Sequence, residues 1–261
     1  MRLARLVFCF LAGFPYPAAA DPKLDALLAA YPDRLASYTD AELIWKDGSR
    51  MPLGSGSPNK PFAELLDKAD IRDQFAIPYP PITAPFQAPA TDQDPGRIRN
   101  EAFFLKMYGD CRKGEVKPRL RAVSWLPNRG GGTVYATAIN GVADQLQQVS
   151  RDLDLLPAEM VKYLVPTSGI YNCRPIAETH RLSVHAFGAA VDINAGFGDY
   201  WLWSKRPDGA VVWRNRIPAE IVEIFERHGF IWGGRWYHFD SLHFEYRPEL
   251  IALAKRGWPR E

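Results

Sequence analysis

Two short stretches near the C-terminus hold the side chains best suited to chemistry: Ser183-Val-His185-Ala-Phe-Gly188-Ala-Ala-Val-Asp192 and Asp240-Ser-Leu-His243-Phe-Glu245. The two imidazoles of His185 and His243 and the carboxylate of Asp192 are hard-to-borderline ligands of the kind that hold zinc. A set of three leaves a fourth position for water, which separates a catalytic centre from a closed structural one. Asp240, three residues before His243, is left over to act as a base. A His and an Asp seven apart would more often be a surface or capping pair. The second segment, with its own His in an aromatic context, turns that pair into a site.

The elements that must position these groups follow from periodicity. In a strand successive side chains face opposite sides, so in a strand over Ala189 to Ile193 the flanking Val191 and Ile193 enter a core while Asp192 faces a cleft. Gly188 and its Ala neighbours leave room for the His185 turn to fold back. His243 to Tyr246 reads as a second strand, entered through a turn that carries Asp240. Ile217 to His228 reads as a helix with Pro218 in its first turn and Gly229 closing it. Upstream, helices are expected over Ile98 to Tyr108, over Val142 to Leu155 with Asn140 as N-cap, and over Ala158 to Leu164. Strands at Leu120 to Leu126 and Thr133 to Ile139 join across Gly130-Gly131-Gly132.

The first third reads as a helix at Lys23 to Tyr31, a hairpin of Glu42 to Trp45 with Arg50 to Leu53 around Asp47-Gly48, and a helix at Phe62 to Ala69. Pro78 to Gly96 is too rich in Pro for regular structure and is expected to wrap a surface as a loop. This makes residues 21–96 an accessory region and 97–261 the domain that carries the site. The class is α+β, a small, mostly antiparallel sheet flanked by helices, with the zinc cleft on the sheet.

Residues 1–20 carry Arg2 and Arg5, the apolar run Leu6 to Phe14, and Ala18-Ala19-Ala20 before Asp21, the pattern of a cleaved secretory signal. The run is short of the roughly 20 apolar residues of a membrane anchor, and no later segment is long and apolar enough to span a bilayer. The expected location is therefore secreted, periplasmic or extracellular, without stable membrane insertion. Removing Arg2 and Arg5 leaves 30 basic against 30 acidic side chains. A nucleic-acid binder shows a basic surplus or stripe, so a nucleic-acid partner is not expected. Two cysteines remain, Cys111 and Cys173. In an oxidising compartment they could pair, but their distance in space is not written in the sequence.

The pattern Ser-x-His-x-x-Gly-x-Ala-x-Asp, followed by a carboxylate three residues before a second His, resembles the zinc D-Ala-D-Ala carboxypeptidase family. That family includes vancomycin-resistance carboxypeptidases and phage L-Ala-D-Glu endolysins. The likeness runs from Ser168 to Leu250, strengthened by Gly229-Phe-Ile-Trp232-Gly-Gly-Arg-Trp236 and Arg247-Pro-Glu, with a fainter echo at Met107-Tyr-Gly109. It implies Zn2+ as cofactor, His185, Asp192 and His243 as its ligands, and Asp240 as the base. It also implies peptidoglycan stem peptides as substrate, cut at D-Ala-D-Ala or at L-Ala-D-Glu by a zinc-activated water. Many members have Glu where this chain has Asp240; the endolysin-like branch has Asp, a difference that bears on substrate.

The family also places an Arg upstream, near the scissile carbonyl. Arg174 in Tyr171-Asn-Cys-Arg174-Pro is the best match and Arg181 the second. A fixed cation facing the developing oxyanion stabilises the transition state more than the ground state. Ser183 is expected to orient the His185 loop or the substrate, and Glu245, on the same strand face as His243, either supports that ligand or is a solvated side chain. Trp232, Trp236 and Tyr237 either wall the cleft or fill the core. His180, His228 and His238 fall outside the site, His228 closing a helix. The contrasting reading is a zinc-containing protein that holds cell-wall peptides without cutting them; such a protein would be expected to lose the base, and Asp240 is present.

Overall fold

Asp21 opens the first helix, α1 (Pro22–Ala30), by accepting hydrogen bonds from the Lys23 and Leu24 amides, two donors that the first turn cannot satisfy internally. The structure, a computed structural model, describes residues 20–55, 60–177 and 179–259. Apart from Ala20, the expected signal peptide lies outside them. After α1 comes an antiparallel sheet of β1 (Leu35–Tyr38), β2 (Glu42–Trp45) and β3 (Arg50–Pro52). The turn at Asp47-Gly48 joins the last two, with Gly48 at φ 80°, where only glycine is unstrained. The hairpin is the one expected; β1 was not, because four residues without clear alternation carry little signal.

The helix α2 (Phe62–Asp67) leads to the Pro-rich stretch, which contains no helix or strand, as expected. α3 (Glu101–Tyr108) starts three residues later than its periodicity suggests, because Asn100 caps it by accepting from the Phe103 amide. The ribbon β4 (Leu120–Ser124) and β5 (Thr133–Thr137) is antiparallel and packs under α4 (Val142–Asp154). Asn140 is not the N-cap of α4. It sits at φ 55°, Gly141 at φ 70° takes the cap position, and no side chain caps the helix. Two consecutive left-handed residues, rather than a hydrogen bond, turn the chain into α4.

After α5 (Val161–Leu164) come β6 (Ala190–Asp192), α6 (Ala219–Arg227), β7 (Phe230–Trp232), β8 (His243–Tyr246) and α7 (Pro248–Arg256). The last three strands form a sheet in the order β6-β8-β7, antiparallel throughout. Phe225 of α6 lies flat on Phe244 of β8, ring centroids 3.8 Å apart, which fixes the helix against the strand that carries His243. β7 and α7 were not expected as elements. All three residues of β7 are buried, so its sequence has none of the alternation that betrays a half-exposed strand. The α+β class and the small antiparallel sheets flanked by helices agree with the sequence reading.

One core cluster runs from Leu24 to Ala254, and α1 packs on α7 within it, Tyr31 Oη donating to Glu249 at 2.7 Å. The Pro-rich stretch is strapped across the loop that follows β7. Tyr79 Oη donates to Glu226 and accepts from the Trp232 amide. Arg235 is held by Glu226 at 2.7 Å and reaches the carbonyls of Ile82 and Ala84. Trp236 Nε1 donates to the Pro95 carbonyl at 2.7 Å. Buried carbonyls of an irregular segment thereby find partners, and the strap fixes the chain just before Asp240.

Candidate metal centre

Strand register positions the first two candidate ligands. Asp192 and His243 are direct cross-strand partners in the β6–β8 ladder, so their side chains rise side by side from one face. The third comes from a short turn, Val184–Phe187, where Ser183 accepts from the His185 amide at 3.4 Å. Gly188 closes that turn at φ 68°, and a Cβ there would meet the Leu120 side chain at 2.8 Å and the Thr137 backbone at 3.1 Å. Both the turn and the close packing need glycine.

The three side chains converge. His185 Nε2 lies 3.2 Å from His243 Nδ1 and 3.1 Å from Asp192 Oδ1, and His243 Nδ1 lies 2.9 Å from the same oxygen. Tetrahedral zinc with bonds near 2.0–2.2 Å keeps its ligand atoms roughly 3.3 Å apart, so the spacing fits a small divalent ion. The far nitrogens fix which atoms face inward. His185 Nδ1 donates to the Ile170 carbonyl at 2.7 Å, and His243 Nε2 donates to Glu245 Oε2 at 3.2 Å. Each ring is thereby oriented so that its other nitrogen would offer a lone pair to an ion at the common point, as metal-bound imidazoles do. Among the described residues, His185, Asp192 and His243 form a group of side chains that could hold a metal ion.

Charge around this point is tightly organised. Burial raises the Asp192 carboxyl, but hydrogen bonds and charge from His185 and His243 overcome it and hold the group well below the usual carboxylate range. Burial lowers His243, yet its bonds to Asp192 and Glu245 push it up to about 10. Glu245 also resists burial, drawn down to about 2 by the Arg99 charge and the His243 hydrogen bond. Asp240 goes the other way. Burial, then the Asp192 charge, push it up to about 6, and its Oδ1 is buried without a hydrogen-bond partner.

These groups line a cleft of about 320 Å³, whose walls include Arg174, Trp236, Tyr200 and Trp203. Arg174 reaches it from an exposed segment whose backbone is pinned beside the site, Asn172 N donating to the His185 carbonyl and Ser183 N to the Arg174 carbonyl, both at 3.1 Å. Cys173, next to it, is bonded to Cys111 with Cα atoms 5.7 Å apart, resolving the pairing left open in the sequence. Arg181 is elsewhere: it pairs with Asp67 at 3.3 Å and borders a separate small cavity with Phe187 and Leu182.

Trp236 walls the cleft, its ring 5.5 Å from that of His243. Trp232 is core, wholly buried with Nε1 bonded to the Ser241 carbonyl, and Tyr237 is not among the lining residues. His180 is exposed, and His228 pairs with Asp152 at 2.9 Å, outside the cleft. His238, set aside from sequence, does line the cleft, and its Nδ1 donates to Asp94, a fully buried carboxylate, at 2.7 Å. Arg97 and Arg99 line it too. No spacing signal could have found them, because their site partners follow more than 130 positions later.

Residues 177–246 match the family model described as D-alanyl-D-alanine carboxypeptidase. The matched stretch contains His185, Asp192, Asp240 and His243 but neither Arg174 nor the residues around Arg97. It supports the family resemblance read from the sequence and marks this stretch as that of a peptidase. No curated protein matches the chain.

Proposed function

We propose that the protein is a secreted zinc metallopeptidase that hydrolyses an amide bond of peptidoglycan stem peptides, either the terminal D-Ala-D-Ala or the L-Ala-D-Glu bond. The observation that carries this reading is the convergence of three ligand atoms within 3.2 Å of one another, beside a carboxyl group, Asp240, that has an unpartnered oxygen and is raised to about 6. His185, Asp192 and His243 hold the ion. Zinc, when bound, supplies Lewis-acid polarisation of the scissile carbonyl and acidifies the attacking water.

The rest belongs to the chain. Asp240 accepts the proton of the attacking water and hands it to the leaving amine; a carboxyl lifted toward neutrality is suited to both transfers. Arg174 faces the oxygen on which charge develops, a preorganised cation that costs no reorganisation in the transition state. Glu245 holds the His243 ring, and Ser183 holds the turn of His185. Residues 21–96 serve the site through the strap over Trp232 to Trp236.

Purified muropeptides test this directly. The protein with about one equivalent of zinc should release D-alanine or a new amino terminus, stop in the presence of a chelator and resume when zinc is restored. Protein that holds zinc stoichiometrically and releases neither product removes the reading.

A further inference from the structure

The cleft contains a largely covered cation with few protein partners. The Arg99 side chain is only 10 % exposed, yet its single contact is one nitrogen at 3.4 Å from Glu245 Oε2. Its other N–H groups meet no acceptor among the described residues. Glu245 Oε2 is already engaged, accepting from His243 at 3.2 Å, while its Oε1, 3.6 Å from Arg247, is buried without a hydrogen-bond partner. Arg247 itself has Glu249 at 2.6 Å and the Gly96 carbonyl at 2.8 Å, so of these two guanidinium groups Arg99 is the one short of acceptors.

Arg97, beside it on the same segment, uses one nitrogen for two long contacts, to Asp94 at 3.4 Å and to the His238 carbonyl at 3.3 Å, and sets its guanidinium over the Trp236 ring. A guanidinium out of water needs its donors satisfied and its charge met. Burial and the like charges of Arg181, Arg247 and Arg97 lower Arg99 to about 10, against the pull of Glu245. Arg99 sits where the metal cleft adjoins the small cavity lined by Arg181.

Both bonds considered above share a feature at the leaving group. The nitrogen released belongs to an amino acid with a free carboxylate on the adjacent carbon: the C-terminal carboxylate of D-alanine, or the α-carboxylate of a γ-linked D-glutamate. We infer that Arg99, with Arg97 beside it, is the anchor for that α-carboxylate and so makes the enzyme specific for peptides that carry it. This deepens the peptidase reading and rests on it. A planar fork suits a carboxylate, two N–H groups meeting two oxygens, and a lysine would supply charge without the fork.

Binding to zinc-loaded Asp240→Asn protein, measured by calorimetry, tests the anchor without turnover. The probes are N-acetyl-D-Ala-D-Ala and its C-terminal carboxamide, and an L-Ala-γ-D-Glu peptide and its α-carboxamide; the pair that binds identifies the source of the carboxylate. The acid should bind roughly 10- to 100-fold tighter than the carboxamide, the span of a charge-assisted hydrogen bond. That gap should close in Arg99→Gln, narrow in Arg99→Lys and shrink in Arg97→Gln.

Equal binding of acid and carboxamide by the parent protein overturns the inference whatever the variants do. So does a gap that survives in Arg97→Gln and in an Arg99→Gln protein shown to be folded by circular dichroism. Active enzyme that hydrolyses both forms at equal rates overturns the anchor and leaves the peptidase reading standing. Enzyme that hydrolyses neither removes both.

Discussion

Asp240 and Glu245, five residues apart, are driven in opposite directions. Glu245 is drawn to about 2 against its burial by Arg99 and His243, whereas Asp240 is lifted to about 6 by burial and Asp192. Carboxylates separated in this way take different work, one a fixed support and the other a proton carrier. In the proposed mechanism Asp240 is the base and acts only when ionised, so kcat/KM should climb with pH up to about 6 and level off above it. Asp240→Asn should lower turnover by roughly 10² or more and erase that acid limb while zinc stays bound. A limb that persists in the variant, read from pH–rate profiles with zinc quantified alongside, would assign it to another group. The metal-site candidates were legible because residue type and short spacing carry them. His238 was not, since what brings it to the cleft is a buried Asp94 144 residues earlier.

The segment Tyr171 to Pro175 shows what a short element contributes when its ends are tied. Backbone bonds to the His185 turn and the Cys111–Cys173 bridge hold Arg174 at the cleft, while Arg181 is engaged by Asp67. Arg174→Ala should therefore lower turnover about 10²- to 10³-fold, Arg174→Lys less, and Arg181→Ala little, with zinc content unchanged in all three. The reverse order in steady-state kinetics would hand the oxyanion role to Arg181. The bridge closes 62 residues of chain, which the loop-entropy account values at about 4 kcal/mol. Paired Cys111→Ser and Cys173→Ser should lower the denaturation midpoint accordingly. Elements with strong alternation or helical spacing were legible: the hairpin, α4, α6 and β8. Those read poorly had lost the pattern for a physical reason, β7 by burial of both faces and the entry to α4 by left-handed turning at Asn140 and Gly141.

The chain folds around a core to which both ends contribute. Leu24 and Leu27 of α1 and Leu250 and Ile251 of α7 belong to one cluster, and the strap joins Tyr79 to Glu226 across 147 positions. Leu27 is 1 % exposed, so Leu27→Ala should cost about 2–5 kcal/mol. The loss should appear as one cooperative transition of the whole chain in denaturant titration. A separate early transition would mean that α1 unfolds as a unit of its own. The sharing of one core by residues before and after position 97 could not be read from the sequence, because periodicity reports which face of an element is buried and is silent on what buries it.

The pairing of Asp192 with His243 across β6 and β8 reaches beyond catalysis. An unfolded chain does not hold these two, 51 positions apart, together with His185, so an ion bound by all three selects the zipped ladder. Folding and metal supply are then one coupled equilibrium: above the dissociation constant, each tenfold rise in free zinc deepens the folded state by about 1.4 kcal/mol. A scarcity of such an ion would thus show first as a protein easier to melt and to digest.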